Sequence, residues 1–571
     1  AVRRRTCRHC AAYPCEMSTD QQSSKQRRYD RQLRLWGEHG QAAMEDTSVC
    51  LLNGSATGSE TLKNLVLPGI GKFTIVDGSD VVAADLGNNF FLEDSSLGSS
   101  RASCVTQLLQ ELNEHVNGAY VSDDISQVLE SRPDFLHSFS LVIATQLPLK
   151  ELRQVAAICT SRSIPLLVVH SYGLMGYLRV VLNEHQVIEA HPQHEVPDLR
   201  VLAPPAELTA FIAERYDEMS ALTTAQYAHV PYIVFLVKAA RQWSSANDGA
   251  LPTAYKQKKE VRAIVESFRR TDVQNDTNIE EALSAVNTAF SLPAPTGSLK
   301  ELLSKARYRV SSLAAEVHAA SASTEESSVS LGMRRQQLSF WVMTAGVAAF
   351  VDGEGCGLLP TIGTIPDMTA DTSTYVALQT IYQQQSLADM QAVHAHVQQI
   401  CTMESLPGDL ISADVLKPLC KNALNLAVID YTSIQAEYTS STAGPSSLGE
   451  ALDDPASSGA LYVLLRAAQA FRAERSHWPG ESDLSVESDV PVLKQFVSEL
   501  AKELSLGSCP ISDDLIHEFC RWGGSELHAI ASVMGGIASQ EAIKAITHQY
   551  VPLNNTFIFN GMTGTASSLR L

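Results

Sequence analysis

Residues 47–77 constrain this chain more than any other stretch, because they run apolar segment, turn, helix, apolar segment in the order of a parallel β-α-β unit. Residues 48–52 form the first apolar run, Leu62, Leu65 and Val66 recur at helical spacing within 60–67, and residues 73–76 form a second run that ends at Asp77. Parallel strands need a crossover between them, so the unit commits the chain to an α/β sheet. Further buried-strand candidates at 141–144, 165–169 and 178–182, with a helical segment at 102–113, extend it to a doubly wound, Rossmann-like arrangement.

The turn inside that unit is unusual. A dinucleotide-binding fingerprint reads G-x-G-x-x-G, in which the first glycines let the backbone approach phosphates and the last lets the helix pack closely. Here the turn reads Asn53-Gly54-Ser55-Ala56-Thr57-Gly58. Aligned on Gly58, the packing glycine is kept, while Asn53 and Ser55 put side chains where phosphate oxygens would have to come close. Asp77 stands where an acid could hold a ribose, although a strand-end Asp serves as readily to cap a turn.

Beyond residue 184 the texture changes to helical stretches at 206–221, 232–243, 256–268, 279–290 and 299–319, with little strand character. Ser-rich segments at 321–330 and 440–460 read as linkers. A helix from about 536 to 548 and strand-like pieces at 550–553 and 556–560 could complete the sheet. The expected organisation is a disordered leader over 1–28, the first part of the α/β domain over 29–187, a mainly helical insertion over 188–455, and the rest of the α/β domain over 456–571.

A length of 571 residues with 45% apolar residues can fill several cores. The formal charge of −20, from 43 basic and 63 acidic residues, opposes attraction to a phosphate backbone and makes nucleic acid a poor partner. No run of eighteen apolar residues occurs, so a membrane span is excluded. Eleven cysteines at irregular spacing read as reduced thiols in an intracellular compartment. Cys7, Cys10 and Cys15 belong to a basic leader set apart from the fold, and no second ligand pair follows to build a zinc site. His185, His191 and His194 form the densest histidine group, again without metal spacing, and His394 and His396 fall on different faces of a helix. No metal site is expected.

Around the turn, Tyr29-Asp30-Arg31-Gln32-Leu33-Arg34-Leu35-Trp36-Gly37 is followed by Leu62-Lys63-Asn64-Leu65-Val66-Leu67-Pro68-Gly69-Ile70-Gly71, Asp77 and Asn88-Asn89-Phe90-Phe91. In order and spacing these resemble the adenylation domain of the activating enzymes for ubiquitin-like proteins. Gly535-Gly536-Ile537-Ala538-Ser539-Gln540-Glu541-Ala542-Ile543-Lys544 resembles the family's C-terminal helix, so the likeness brackets nearly the whole chain after Gln26. Residues 231–234, 359–368 and 517–521, with the long helical insertion, are most similar to the non-catalytic subunits of the neddylation branch.

The resemblance implies that active halves carry a second acid two positions after the strand-end Asp, which here is Ser79. The arginine expected before the Gln-Phe motif is Asn88, with Asn89 in place of Gln, and the expected lysine is Arg101, which keeps charge but changes the shape of a phosphate contact. Where active members hold magnesium with an Asp, this chain has Ala144-Thr145-Gln146-Leu147-Pro148, without the hard anionic oxygen that magnesium prefers. The resemblance therefore implies an inactive, pseudo-adenylation half that binds no cofactor and has no catalytic residue acting on its own site. ATP and magnesium would be held by a catalytic partner subunit, which adenylates a ubiquitin-like protein of the neddylation pathway and carries its thioester. Arg31 is the candidate to reach in trans into the partner's ATP site, while Arg34 reads as a structural ion pair. No nucleophile is assigned, since Cys50 and Cys159 lie in core contexts, Cys356 is the most loop-like, and Cys401, Cys420, Cys509 and Cys520 sit in or beside helices. Location in cytoplasm and nucleus is the corresponding expectation. Two other readings stay open on the residues alone: a self-sufficient Rossmann-type nucleotide enzyme with an atypical turn, and a pure protein-interaction adaptor.

Overall fold

A computed structural model describes residues 19–571 except 275, 324–326, 440–447, 450, 453–456, 483 and 507–510. Cys7, Cys10, Cys15 and Cys509 fall outside the described residues, as does most of the Ser-rich stretch 440–460.

Strands β1 (Ser48–Leu52), β2 (Lys72–Val76), β3 (Asn117–Val121), β4 (Leu141–Thr145), β5 (Leu166–Tyr172) and β6 (Met175–Val181) are joined by β9 (Thr556–Asn560) and β10 (Thr565–Leu569) in one eight-stranded sheet. Its order is β10-β9-β6-β5-β4-β1-β2-β3, parallel from β5 to β3 and antiparallel from β5 through β6 and β9 to β10. The 3-2-1-4 run makes the crevice between β1 and β4 the topological switch point, where α/β sheets place their ligands.

β1 is buried along its full length because both faces of the sheet are covered. Val49 and Leu51 enter one core and Cys50 and Leu52 the other, as strand alternation requires. On the first face, helix α2 (Ala56–Val66) packs against the helix His528–Thr547. A Cβ on Gly535 would stand 2.8 Å from the Glu60 backbone, so only glycine admits this approach. On the second face, helices Leu149–Ser161 and Ser458–Arg475 cover the sheet.

The helical region holds two further cores. One gathers helices Ala206–Tyr216, Tyr232–Ala246, Tyr255–Ser267 and Thr277–Ala289. The other gathers Gly297–Ala322, Ser328–Asp352 and Ala413–Lys421. Helix Thr372–Met403 ties them together, giving Leu378 and Tyr382 to the first core and Val393, Val397 and Ile400 to the second.

Three sequence expectations need correction. Helix α1 (Thr19–Asp46) begins inside the 1–28 span expected to be a disordered leader; Arg28 ties it down by donating to the Leu112 carbonyl at 2.9 Å. Strand character does recur after residue 184, in the antiparallel pair β7 (Glu184–Val187) and β8 (Ala427–Asp430) that brings the helical region back to the sheet. Residues 550–553 are not a strand: Tyr550 has φ 58°, and Pro552 has no amide to give to a ladder.

Candidate functional site

The switch point is built from the β1–α2 turn, the ends of β2 and β4, and a loop from the far end of the chain. Asn53 takes the left-handed φ of 72° that the turn requires, which asparagine tolerates better than most residues. Gly58 cannot be replaced without strain, since a Cβ would lie 2.6 Å from the Asn53 carbonyl oxygen. Ser55 caps α2.

The amide end of a helix attracts anions through its unsatisfied N–H groups and its dipole. At α2 that place is filled from within. Glu526, on the loop between helices Asp513–Trp522 and His528–Thr547, accepts from Ser55 Oγ at 3.0 Å, Thr57 Oγ1 at 2.6 Å and Gln146 Nε2 at 2.8 Å through Oε1, and from the Ala56 amide at 3.2 Å through Oε2. Asn88 Nδ2 donates to the Glu526 carbonyl at 3.2 Å and fastens the loop. Among the described residues, every donor to this carboxylate is neutral. Its negative charge is balanced by the helix end and the hydrogen bonds, an arrangement that otherwise suits a phosphate.

A second layer holds the donors in place. Gln146 also donates to the Ser171 carbonyl at 2.6 Å, and its Oε1 lies 2.8 Å from His170 Nδ1. His170 is buried, and burial followed by the nearby Arg472 pushes its pKa down to about 3, so the ring is neutral and Nδ1–H donates to Gln146. Gln469 stands 3.3 Å from the other ring nitrogen. This chain of contacts fixes which end of the Gln146 amide faces Glu526.

Arg101 faces inward and is engaged by acids. It donates to Asp77 at 2.7 Å, Asp85 at 3.1 Å and Asn53 Oδ1 at 2.8 Å. Asp77 also accepts from the Gly54 and Ser79 amides, both at 2.9 Å, so it braces the turn. Ser79 is exposed, and Asn89 is buried, donating to the Gly54 carbonyl and to Ser59 Oγ. Of the five positions expected to mark a degenerate pocket, Asn53, Ser55, Asn88 and Arg101 thus meet in one network, and Ser79 touches it only through its amide and carbonyl. A triphosphate laid on α2 would meet the Glu526 carboxylate head on and would find Arg101 already paired. The residues present do not fit it.

Arg31 is elsewhere, on α1. Tyr29 is buried and its hydroxyl accepts from Asn113 at 3.1 Å, which turns Arg31, two residues on, to the opposite side of the helix. Arg31 is exposed and makes no hydrogen bond or ion pair among the described residues, whereas Arg34 pairs with Asp30 at 3.0 Å. Leu35, one turn from Arg31, is 56% exposed.

Among the described cysteines, Cys50, Cys159, Cys401, Cys420 and Cys520 are buried, and Cys356 is exposed. Burial pushes the Cys159, Cys420 and Cys520 thiols up to about 12 and Cys50 well above its ordinary value. Such thiols are poor nucleophiles. His191 lies 3.0 Å from Gln549 Oε1, His185 stacks on His548, and His194 is exposed. No group of three metal-binding side chains converges among the described residues, and none of their helices is long and apolar enough to cross a membrane.

Glu526 is the residue that sequence reasoning missed. It stands 470 positions from Ala56, outside every motif quoted above, and only the folded chain brings it to the turn.

The chain matches the ThiF family over residues 29–571. It is 40% identical over 557 residues to the NEDD8-activating enzyme E1 regulatory subunit of Danio rerio, covering 97% of this chain and all of that protein. It is 40% identical over 554 residues to the Nedd8-activating enzyme E1 regulatory subunit of Drosophila melanogaster, covering 96% and 98%. Similarity reaches plants: the regulatory subunit AXR1 of Arabidopsis thaliana is 38% identical over 546 residues, covering 95% and 96%. The chain therefore belongs to the ThiF family and, within it, to the NEDD8-activating enzyme E1 regulatory subunits.

Proposed function

We propose that this chain is the non-catalytic half of a heterodimeric activating enzyme for NEDD8, a ubiquitin-like protein. A catalytic partner subunit binds ATP and magnesium, forms the adenylate and carries the thioester. This chain contributes the matching half of the dimer, a fixed platform in place of a second nucleotide site, and Arg31 as a trans-acting cation for the partner's phosphates.

One observation carries the reading: the Glu526 carboxylate sits on the α2 amide end, with Arg101 paired to Asp77 and Asp85 beside it. A buried or half-buried anion there raises the free energy of any second anion by several kcal/mol, on the order of a Coulomb term at intermediate dielectric. Ser79 and Gln146 supply no anionic oxygen to offset this with a divalent cation. Support for the role of Arg31 is its exposure, its freedom from internal pairing, and the exposed Leu35 beside it as a contact for a partner.

Equilibrium binding of Mg-ATP to the isolated chain and to the complex with its catalytic partner tests this. Saturable binding only in the complex is expected. Saturable binding to the isolated chain would overturn it.

A further inference from the structure

A cleft of about 520 Å³ lies between the sheet and helix Ser328–Asp352, and none of its lining residues is invoked in the proposed function. Asn183, Glu184 and His185 line it from the end of β6 and β7, Met333 and Gln337 from the helix, and His548 from the C-terminal helix end.

Three observations give the cleft a chemistry. His185 is 3% exposed, its Nε2 is fully buried with no hydrogen-bond partner, and its only ring contact is the stack on His548, with centroids 4.8 Å apart. Burial first, then the neighbouring His548, holds His185 well below the ordinary histidine range, so the ring is neutral and offers one donor and one acceptor. His548 does not serve it, since the two rings lie face to face, 12° from parallel, and in-plane ring nitrogens of stacked imidazoles do not point at one another; His548 Nδ1 donates instead to the Gln186 carbonyl at 2.8 Å. Leaving buried polar groups unmet costs about 1–3 kcal/mol each, a demand that a ligand or an ordered water relieves.

The charges in the lining are of one sign. Asp46 and Glu184 are its carboxylates, and no lysine or arginine is among the lining residues. Glu184 is engaged, accepting from Gln337 and Trp341 at 2.8 Å and from Arg309 at 2.7 Å, while Asp46 is exposed. Arg309 offsets the charge of Glu184, which leaves Asp46 at the rim, so the lining offers an anion no free cation. Leu182, Val329 and Ile546 add apolar wall between polar lining residues such as Ser140 and Gln336, a surface for a partly hydrophobic body.

We infer that this cleft is a binding site for a small, partly apolar molecule, uncharged or singly cationic, that carries a hydrogen-bond donor or acceptor for His185 Nε2. Because the lining comes from both the sheet and helix Ser328–Asp352, an occupant bridges the α/β part and the helical part.

Gly332 supplies a clean blocking variant. It lines the cleft and is exposed, and a Cβ there would meet nothing within 4 Å, so the backbone admits Gly332→Trp, which adds bulk at the cleft wall. The probes are benzamide, benzamidine and benzoate, which share a ring and differ in charge. Binding is read from the His185 resonance of the full chain labelled at histidine Cε1, with His185→Phe identifying the signal while keeping the ring stack. Benzamide and benzamidine should shift that resonance at roughly millimolar concentration, as expected for so few heavy atoms. Benzoate should not, and Gly332→Trp should weaken benzamide by about tenfold or more. Met333→Trp replaces Gly332→Trp if the latter does not fold. The inference is overturned if benzoate binds as well as benzamide, if no probe moves the resonance and a water alone serves the imidazole, or if the folded blocking variant binds as tightly as the unmodified chain.

Discussion

Replacing Glu526 by alanine probes the filled anion site directly. The carboxylate takes three side-chain hydrogen bonds and one backbone hydrogen bond at the amide end of α2. A hydrogen bond to a charged group contributes about 1.5–3 kcal/mol net, and a charge at a helix end about 0.3–1 kcal/mol. These do not add, because truncation opens the half-buried site and water can reach Ser55, Thr57 and Gln146. A local loss of about 2–3 kcal/mol is therefore expected, with Glu526→Gln, which keeps an acceptor but no charge, losing about half as much. A chain with several cores does not unfold in one step, so the assay must be local. Native-state hydrogen exchange at the Ala56 amide serves: 2–3 kcal/mol corresponds to roughly 30- to 150-fold faster exchange there. Amides of β5 and of helix Thr372–Met403 should be unaffected. Unchanged exchange at the start of α2 in a folded Glu526→Ala variant would refute the claim that this carboxylate holds the site shut.

Further outcomes follow from the same structure. Arg31→Ala should leave the chain's stability and its assembly with the partner unchanged while slowing adenylate formation by the complex about 10²-fold, the scale for removing one charge-stabilising donor; an unchanged rate removes the trans-acting role. Under native conditions at neutral pH, a maleimide should label Cys356 far faster than Cys50, Cys159, Cys420 or Cys520, as peptide mapping would show, and rapid labelling of Cys159 would contradict its burial. His170, neutral in the fold with a pKa near 3, must take up a proton on unfolding below its ordinary value of 6.5. Its depressed pKa gives stability that is present above pH 6.5 and is lost as pH falls from there toward 3, at up to about 1.4 kcal/mol per pH unit. The local stability advantage of the unmodified chain over His170→Gln, read from native-state hydrogen exchange of the β5 amides, should therefore shrink between pH 7.5 and 5.5; a constant or growing gap would mean that His170 is already protonated.

What the sequence revealed was local. The β-α-β unit is legible because its apolar runs, helical spacing and turn lie within about thirty residues, and Gly58 and Asn53 declare the turn by their backbone needs. β4, β5 and β6 are legible as continuous apolar runs because both faces of the sheet are covered. β3 was not, since it is an edge strand of sequence Asn-Gly-Ala-Tyr-Val and is mostly exposed. β7 and β8 escaped notice because each is four residues long and they pair across the entire helical region. The departures at Ser55, Ser79 and Asn88 were readable, but the carboxylate that occupies the head of α2 was not. Arg101 could have met a phosphate as far as its side chain shows; only the fold turns it onto Asp77 and Asp85. Glu526 carries no local pattern at all, being one acid on a loop that topology delivers to the head of α2.

ATP–pyrophosphate exchange measured on the purified chain alone, and then on the chain with its catalytic partner and NEDD8, tests the central claim most directly. The account predicts no exchange above background for the isolated chain and robust exchange for the complex. Exchange by the isolated chain would contradict it.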